Sequence, residues 1–98
     1  MNAARGEACV VAGGVAIVLR PTFTALVAAE AELGPLFSLV ERAAAGGLTL
    51  TELAGLMWHC AVSPGVTREA FAENLVAGGL AAATPALRVL LGQILSGR

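Results

Sequence analysis

The chain has 98 residues, 57% of them hydrophobic and only 13% charged, with a formal net charge of −1. That length makes one domain, 1–98, with one modest core, and the near-neutral charge gives no electrostatic reason to expect nucleic acid or an anionic membrane as partner. No apolar run reaches the roughly 18 residues of a membrane span, and Arg5 and Glu7 ahead of a short apolar run do not read as a secretory leader.

An ordinary soluble domain carries about 25% charged residues, so this chain holds more apolar material than a small core normally hides. Such a surplus covers a partner or a neighbouring subunit. The alternative is compositional, because alanine counts as apolar but buries little area. Neither Lys nor Asp occurs, and all six basic residues are arginines placed singly. Cys9 and Cys60 are expected as free thiols, with Cys60 buried on a helix, since nothing in the sequence directs export.

Segment 7–20 reads EACVVAGGVAIVLR, two β-branched runs around Gly13-Gly14. A Gly-Gly loop suits a tight hairpin turn because both positions accept positive φ. The register then sets Ala12 opposite Val15, Val10 opposite Ile17 and Ala8 opposite Leu19. On the other face Cys9 meets Val18, and Glu7 meets Arg20 as an opposite-charge pair. Pro21 ends the second strand and Thr22 caps a helix over 23–33, which Gly34 stops. Pro35 suits the first turn of a second helix, 35–45, ended by Gly46-Gly47. Thr49-Leu50-Thr51-Glu52 has the form of a capping box opening a third helix that ends near Val62. After a turn at Ser63-Pro64-Gly65, Thr67 caps a fourth helix running to Gly78-Gly79. Thr84-Pro85 reads as cap and first turn of a last helix ending near Ser96. The expected fold is α+β, mainly α: an N-terminal β-hairpin (7–20) followed by about five short packed helices (22–97).

At 100° per residue the last helix aligns Leu87, Leu90, Leu91, Ile94 and Leu95, leaving Arg88, Gln93 and Ser96 outside the stripe. The third helix has an apolar arc covering roughly half its circumference, wider than one-sided packing needs, with Trp58 at its edge. Met57 has the flexible side chain suited to a variable partner surface, and Trp58 the buried area of a binding anchor. Glu30 lies inside the apolar arc of the first helix, so it needs an arginine such as Arg20 or Arg42, or else serves as a polar anchor for a partner. Glu30, Met57, Trp58, Leu91 and Leu95 are therefore the candidate partner-binding residues.

Catalytic and metal chemistry finds little footing. One histidine and two cysteines cannot complete a four-ligand zinc site. His59 and Cys60 are adjacent and point about 100° apart on a helix, so they make no base–nucleophile pair, and His59 reads as a solvated residue on the polar face near Glu52. The glycine pairs lack the lysine and hydroxyl residue of a phosphate loop. Glu30 with Glu32 and Glu69 with Glu73 are the carboxylates close in sequence, and apart from Glu30 they read as helix surface charges. The expectation is a protein-binding chain with no enzyme activity and no cofactor.

Arg5-Gly6-Glu7, a hairpin ending in Leu19-Arg20, and then Thr22-Phe23-x-Ala25-Leu26-x-x-x-Glu30-x-x-Leu33-Gly34 form a recognisable sequence of punctuation. This segment resembles the gene transfer agent family of small tail proteins, related to the tail assembly chaperones of long-tailed phages. Gly78-Gly79-Leu80 followed by an alanine-rich helix is similar too, while Pro21 and Phe23 stand where plain aliphatic residues are expected. The resemblance implies a gene between those for the tail tube and the tape measure in a phage-like cluster, and a protein located in the cytoplasm of the producing bacterial cell or, if structural, in the particle tail. Its implied partners are the tape measure protein and tail tube subunits. The family is also labelled as tail tube protein, but a tube ring is built from long strands, and one short hairpin followed by helices favours the chaperone. A structural tail component and a helical adaptor unrelated to tails are the alternatives, and closure of a homo-oligomer is the competing use of the apolar surface.

Overall fold

The computed structural model describes residues 8–96. It opens with β1 (Ala8–Ala12) and β2 (Val15–Leu19), an antiparallel pair turned by Gly13 and Gly14 at φ of +62° and +77°. Glycine takes two successive left-handed positions with no Cβ penalty, and that turn matches the twist of the strands it joins. The register pairs Ala8 with Leu19, Val10 with Ile17 and Ala12 with Val15, as the Gly-Gly turn requires. Glu7, the expected partner of Arg20, lies outside the described residues.

Five helices follow: α1 (Phe23–Leu33), α2 (Leu36–Ala44), α3 (Leu50–Cys60), α4 (Arg68–Ala77) and α5 (Leu80–Ser96). Thr22, Thr49 and Thr67 each cap a helix by accepting a backbone N–H three residues on. At Thr49 the box is complete, because the Glu52 carboxylate also accepts the Thr49 N–H at 3.0 Å. Pro35, expected in the first turn of the second helix, instead sits at the N-cap of α2, one position before its first residue.

The chain departs from the sequence reading at two helix ends. Helix α3 stops at Cys60, because Ala61 becomes extended and bridges Leu19. Arg20 donates to the Cys60 carbonyl and Val62 to the Val18 carbonyl, both at 2.8 Å. The outer edge of β2 offers unpaired backbone groups, and Ala61-Val62 answers them instead of extending the helix. Helix α5 starts at Leu80, not at Thr84-Pro85. The run Leu80-Ala81-Ala82-Ala83 favours helix strongly enough to carry Pro85 in its interior, and the Thr84 hydroxyl turns back onto the Leu80 carbonyl at 3.3 Å.

Ile17 and Leu19 from the hairpin meet Leu39, Leu56, Met57, Phe71, Leu75 and Leu90 in one core. Strand β1 leans on α4 and α5, while α1 packs on α3. The buried side of α5 is Ala83, Ala86, Leu90 and Gln93, so its apolar stripe is rotated from the expected one. Gln93, expected outside the stripe, is buried, and Leu95 faces out instead. The small Ala83 and Ala86 on the buried side suit the close packing of α5 on β1.

Candidate protein-binding surfaces

The five sequence-predicted residues do not form one surface. Met57 is fully buried in the core, so it offers no adaptable surface to a partner in this fold. Trp58 is half-buried against Phe71, with ring centroids 5.8 Å apart. The wide arc of α3 is thus closed at its Trp58 level by α4, because a Phe is there to fill it. Leu91 is half-buried on α5, and Leu95 is 60% exposed. Glu30 is not inside an apolar arc: it is exposed, and its Oε2 accepts the Leu36 N–H at 2.9 Å. That bond satisfies a free donor at the start of α2, so Glu30 fixes the corner between two helices. Arg42, offered as its partner, instead holds Glu52 at 2.6 Å.

The corner that Glu30 fixes carries an exposed aromatic ring, Phe37. Gly34 turns it at φ +90°, and α2 leaves α1 at 81°. Leu26, Leu36, Phe37, Val40, Ile94 and Leu95 then line a hollow of about 190 Å³ shared by α1, α2 and α5. Phe37 is 80% exposed and Phe23, one turn before Leu26, is 84% exposed. These two phenylalanines were missed as site residues. The signal was present for Phe37, which lies roughly 100° from the centre of the stripe formed by Leu36, Leu39, Val40 and Ala43.

A second hollow, of about 350 Å³, runs between α3 and α4. Ala54, Gly55 and Ala72 form its floor, the exposed Leu50 and Val76 its walls, and Glu69 and Glu73 stand on the α4 side. This is the open part of the wide α3 arc.

One end of that hollow is closed by a charged cluster. Glu32 Oε1 accepts from Arg68 Nη1 at 2.7 Å, Oε2 accepts from Arg68 Nη2, and His59 Nε2 lies 2.8 Å from Oε1. The bonds from Arg68, and then from His59, hold the Glu32 carboxyl down at about 2. His59 is therefore tied to α1 and not the solvated residue near Glu52 that the sequence suggests. Gly55 gives the cluster room, since a Cβ there would sit 3.1 Å from Arg68 Nη2 and 3.3 Å from Leu33 Cδ2, close enough that those side chains would have to shift. The cluster links α1, α3 and α4. Among the described residues no group of three or more side chains is placed to hold a metal ion, and no single helix is long and apolar enough to cross a membrane.

Fold and surface together define a small, mainly helical α+β protein whose core leaves two apolar hollows open between its helices. A family model described as phage tail tube protein, GTA-gp10, matches residues 5–97, and the chain belongs to that family. Comparison with curated proteins and with solved structures gives no match.

Proposed function

We propose that this tail-family protein is a non-catalytic assembly chaperone, which binds the tape measure protein and tail tube subunits in the cytoplasm of the producing bacterial cell. The observation that carries the reading is the exposure of Phe37 in the lining of the hollow of α1, α2 and α5, with Phe23 likewise exposed one turn before Leu26 of that lining. Large aromatic rings left in water beside an apolar hollow are the usual mark of a protein-binding surface, and buried aromatics dominate binding energy. A tape measure not yet enclosed by its tube exposes long amphipathic helices, and an apolar groove is what shields such helices. The two five-residue strands also support the reading over that of a ring-forming tube subunit.

A second reading, a structural tail component, draws on the outer edge of β1. With Ala12 paired to Val15 across the turn, the Cys9 and Val11 backbone groups point away from β2, and they bond to no other described element. Such an edge can accept a strand from a neighbour.

The test is co-purification from producing cells with Phe23→Ser/Phe37→Ser beside the natural protein, followed by mass spectrometry and a search for the chain in purified particles. The chaperone reading expects tape measure and tube subunits with the natural protein, their loss from the double variant, and absence from particles. Stoichiometric presence in particles overturns it in favour of the structural reading. Retention of both partners by the double variant removes the phenylalanine face from the site.

A further inference from the structure

We infer that the hollow between α3 and α4 is a second docking site, whose occupant is an amphipathic helix from a different protein, carrying two cationic side chains one turn apart. The inference rests on the assembly reading for its biological setting but on the groove alone for its chemistry. The floor of Ala54, Gly55 and Ala72 presents no bulky side chain, so a helix can approach the backbone closely, and Leu50 and Val76 stand 46% and 50% exposed at its sides. Apolar walls left in water around a floor of small side chains match the apolar face of an incoming helix.

Charge says what kind of helix. Glu69 and Glu73 lie one turn apart on α4, both exposed, and like charges at that spacing repel each other. Neither carboxylate has a hydrogen bond or ion pair among the described residues, and the cation nearest in sequence, Arg68, is committed to Glu32. Two cations spaced by one helical turn on the partner would meet both carboxylates at once. A second copy of this chain cannot supply them. The sequence has no lysine, and no two of its six arginines lie within four residues of each other. The site therefore selects a heterologous helix, and the paired carboxylates set its orientation and register.

The test uses the purified full chain and two fluorescent 18-residue helical peptides with one Leu/Ala face, one carrying Lys at two positions four apart, the other Glu at the same positions. The Lys peptide is expected to bind, more weakly as salt rises, and the Glu peptide at least about tenfold more weakly. Glu69→Gln/Glu73→Gln should weaken the Lys peptide by about threefold to tenfold and flatten its salt dependence. Val76→Ser should weaken both peptides, and Phe37→Ser neither. Equal binding of the two peptides, no binding of the Lys peptide, or a Kd unchanged by the double Gln variant overturns the inference. So does a concentration-dependent dimer that Val76→Ser dissociates, which would make the groove a self-interface. None of these results bears on the phenylalanine face, whose test is co-purification; loss of that reading leaves the peptide result standing.

Discussion

Glu32 on α1 receives both terminal guanidinium nitrogens of Arg68 on α4, across 36 residues of sequence, with His59 of α3 on the same carboxylate. The cluster makes part of the stability pH-dependent. Glu32 is held at about 2 by Arg68 and His59, and Glu52 at about 2 by Arg42 and the Thr49 N–H, against 4.5 without those partners. A depressed carboxylate stabilises the fold above its unfolded value, and that contribution disappears as pH falls through the folded value. Urea unfolding midpoints should thus stay level from about pH 7 to 5 and fall between about 5 and 2. Glu32→Gln should lower the midpoint at pH 7 and make the acid limb shallower. An acid limb of unchanged slope would show that the cluster does not contribute in solution.

The capping box at Thr49 gives a second prediction. Its hydroxyl accepts the Glu52 N–H at 3.1 Å, and Glu52 answers both Thr49 and Arg42. Thr49→Ala should cost about 1 kcal/mol, as lost N-caps do, seen as a lower denaturant midpoint at unchanged m-value.

Phe71 is fully buried and is the surface on which Trp58 rests. Phe71→Ala should cost about 3–5 kcal/mol, the range for a phenylalanine removed from a core. Trp58 fluorescence should shift to longer wavelength in that variant. Trp58→Ser removes part of the same packing, so its thermal midpoint should fall even if the protein has no partner at that position.

Burial raises the Cys60 thiol to about 12, and Cys60 is covered in the core while Cys9 is only half-buried. In the folded protein at pH 7.5 or thereabouts, a thiol reagent should label Cys9 first and Cys60 only as fast as the chain opens. Equal, rapid labelling of both would contradict the packing of α3.

Because Phe23 and Phe37 are exposed, Phe23→Ser and Phe37→Ser should each change stability by less than about 0.5 kcal/mol. A partner lost from these variants is then lost through the surface and not through unfolding. A fall in midpoint of several degrees would instead place the rings in the packing of the monomer.

Local rules settled most of the architecture before any packing entered. Gly13-Gly14 dictated the hairpin and its register, the threonines at 22, 49 and 67 dictated three helix starts, and the glycines at 34 and 78-79 separated helices. Those features depend on φ preferences and on hydrogen bonds spanning a few residues, which a sequence states directly. Tertiary contact decided the rest. Ala61-Val62 left the helix because an open strand edge lay beside it. Glu30 turned from an apparent core charge into the cap of α2, and His59 from a solvated side chain into a partner of Glu32, because the α1–α2 corner and the neighbouring helices supplied the missing groups. Met57 and Trp58 went inward and Phe23 and Phe37 outward for the same reason. A helical wheel measures the width of an apolar arc, but which part of it stays open depends on which neighbouring helix covers it.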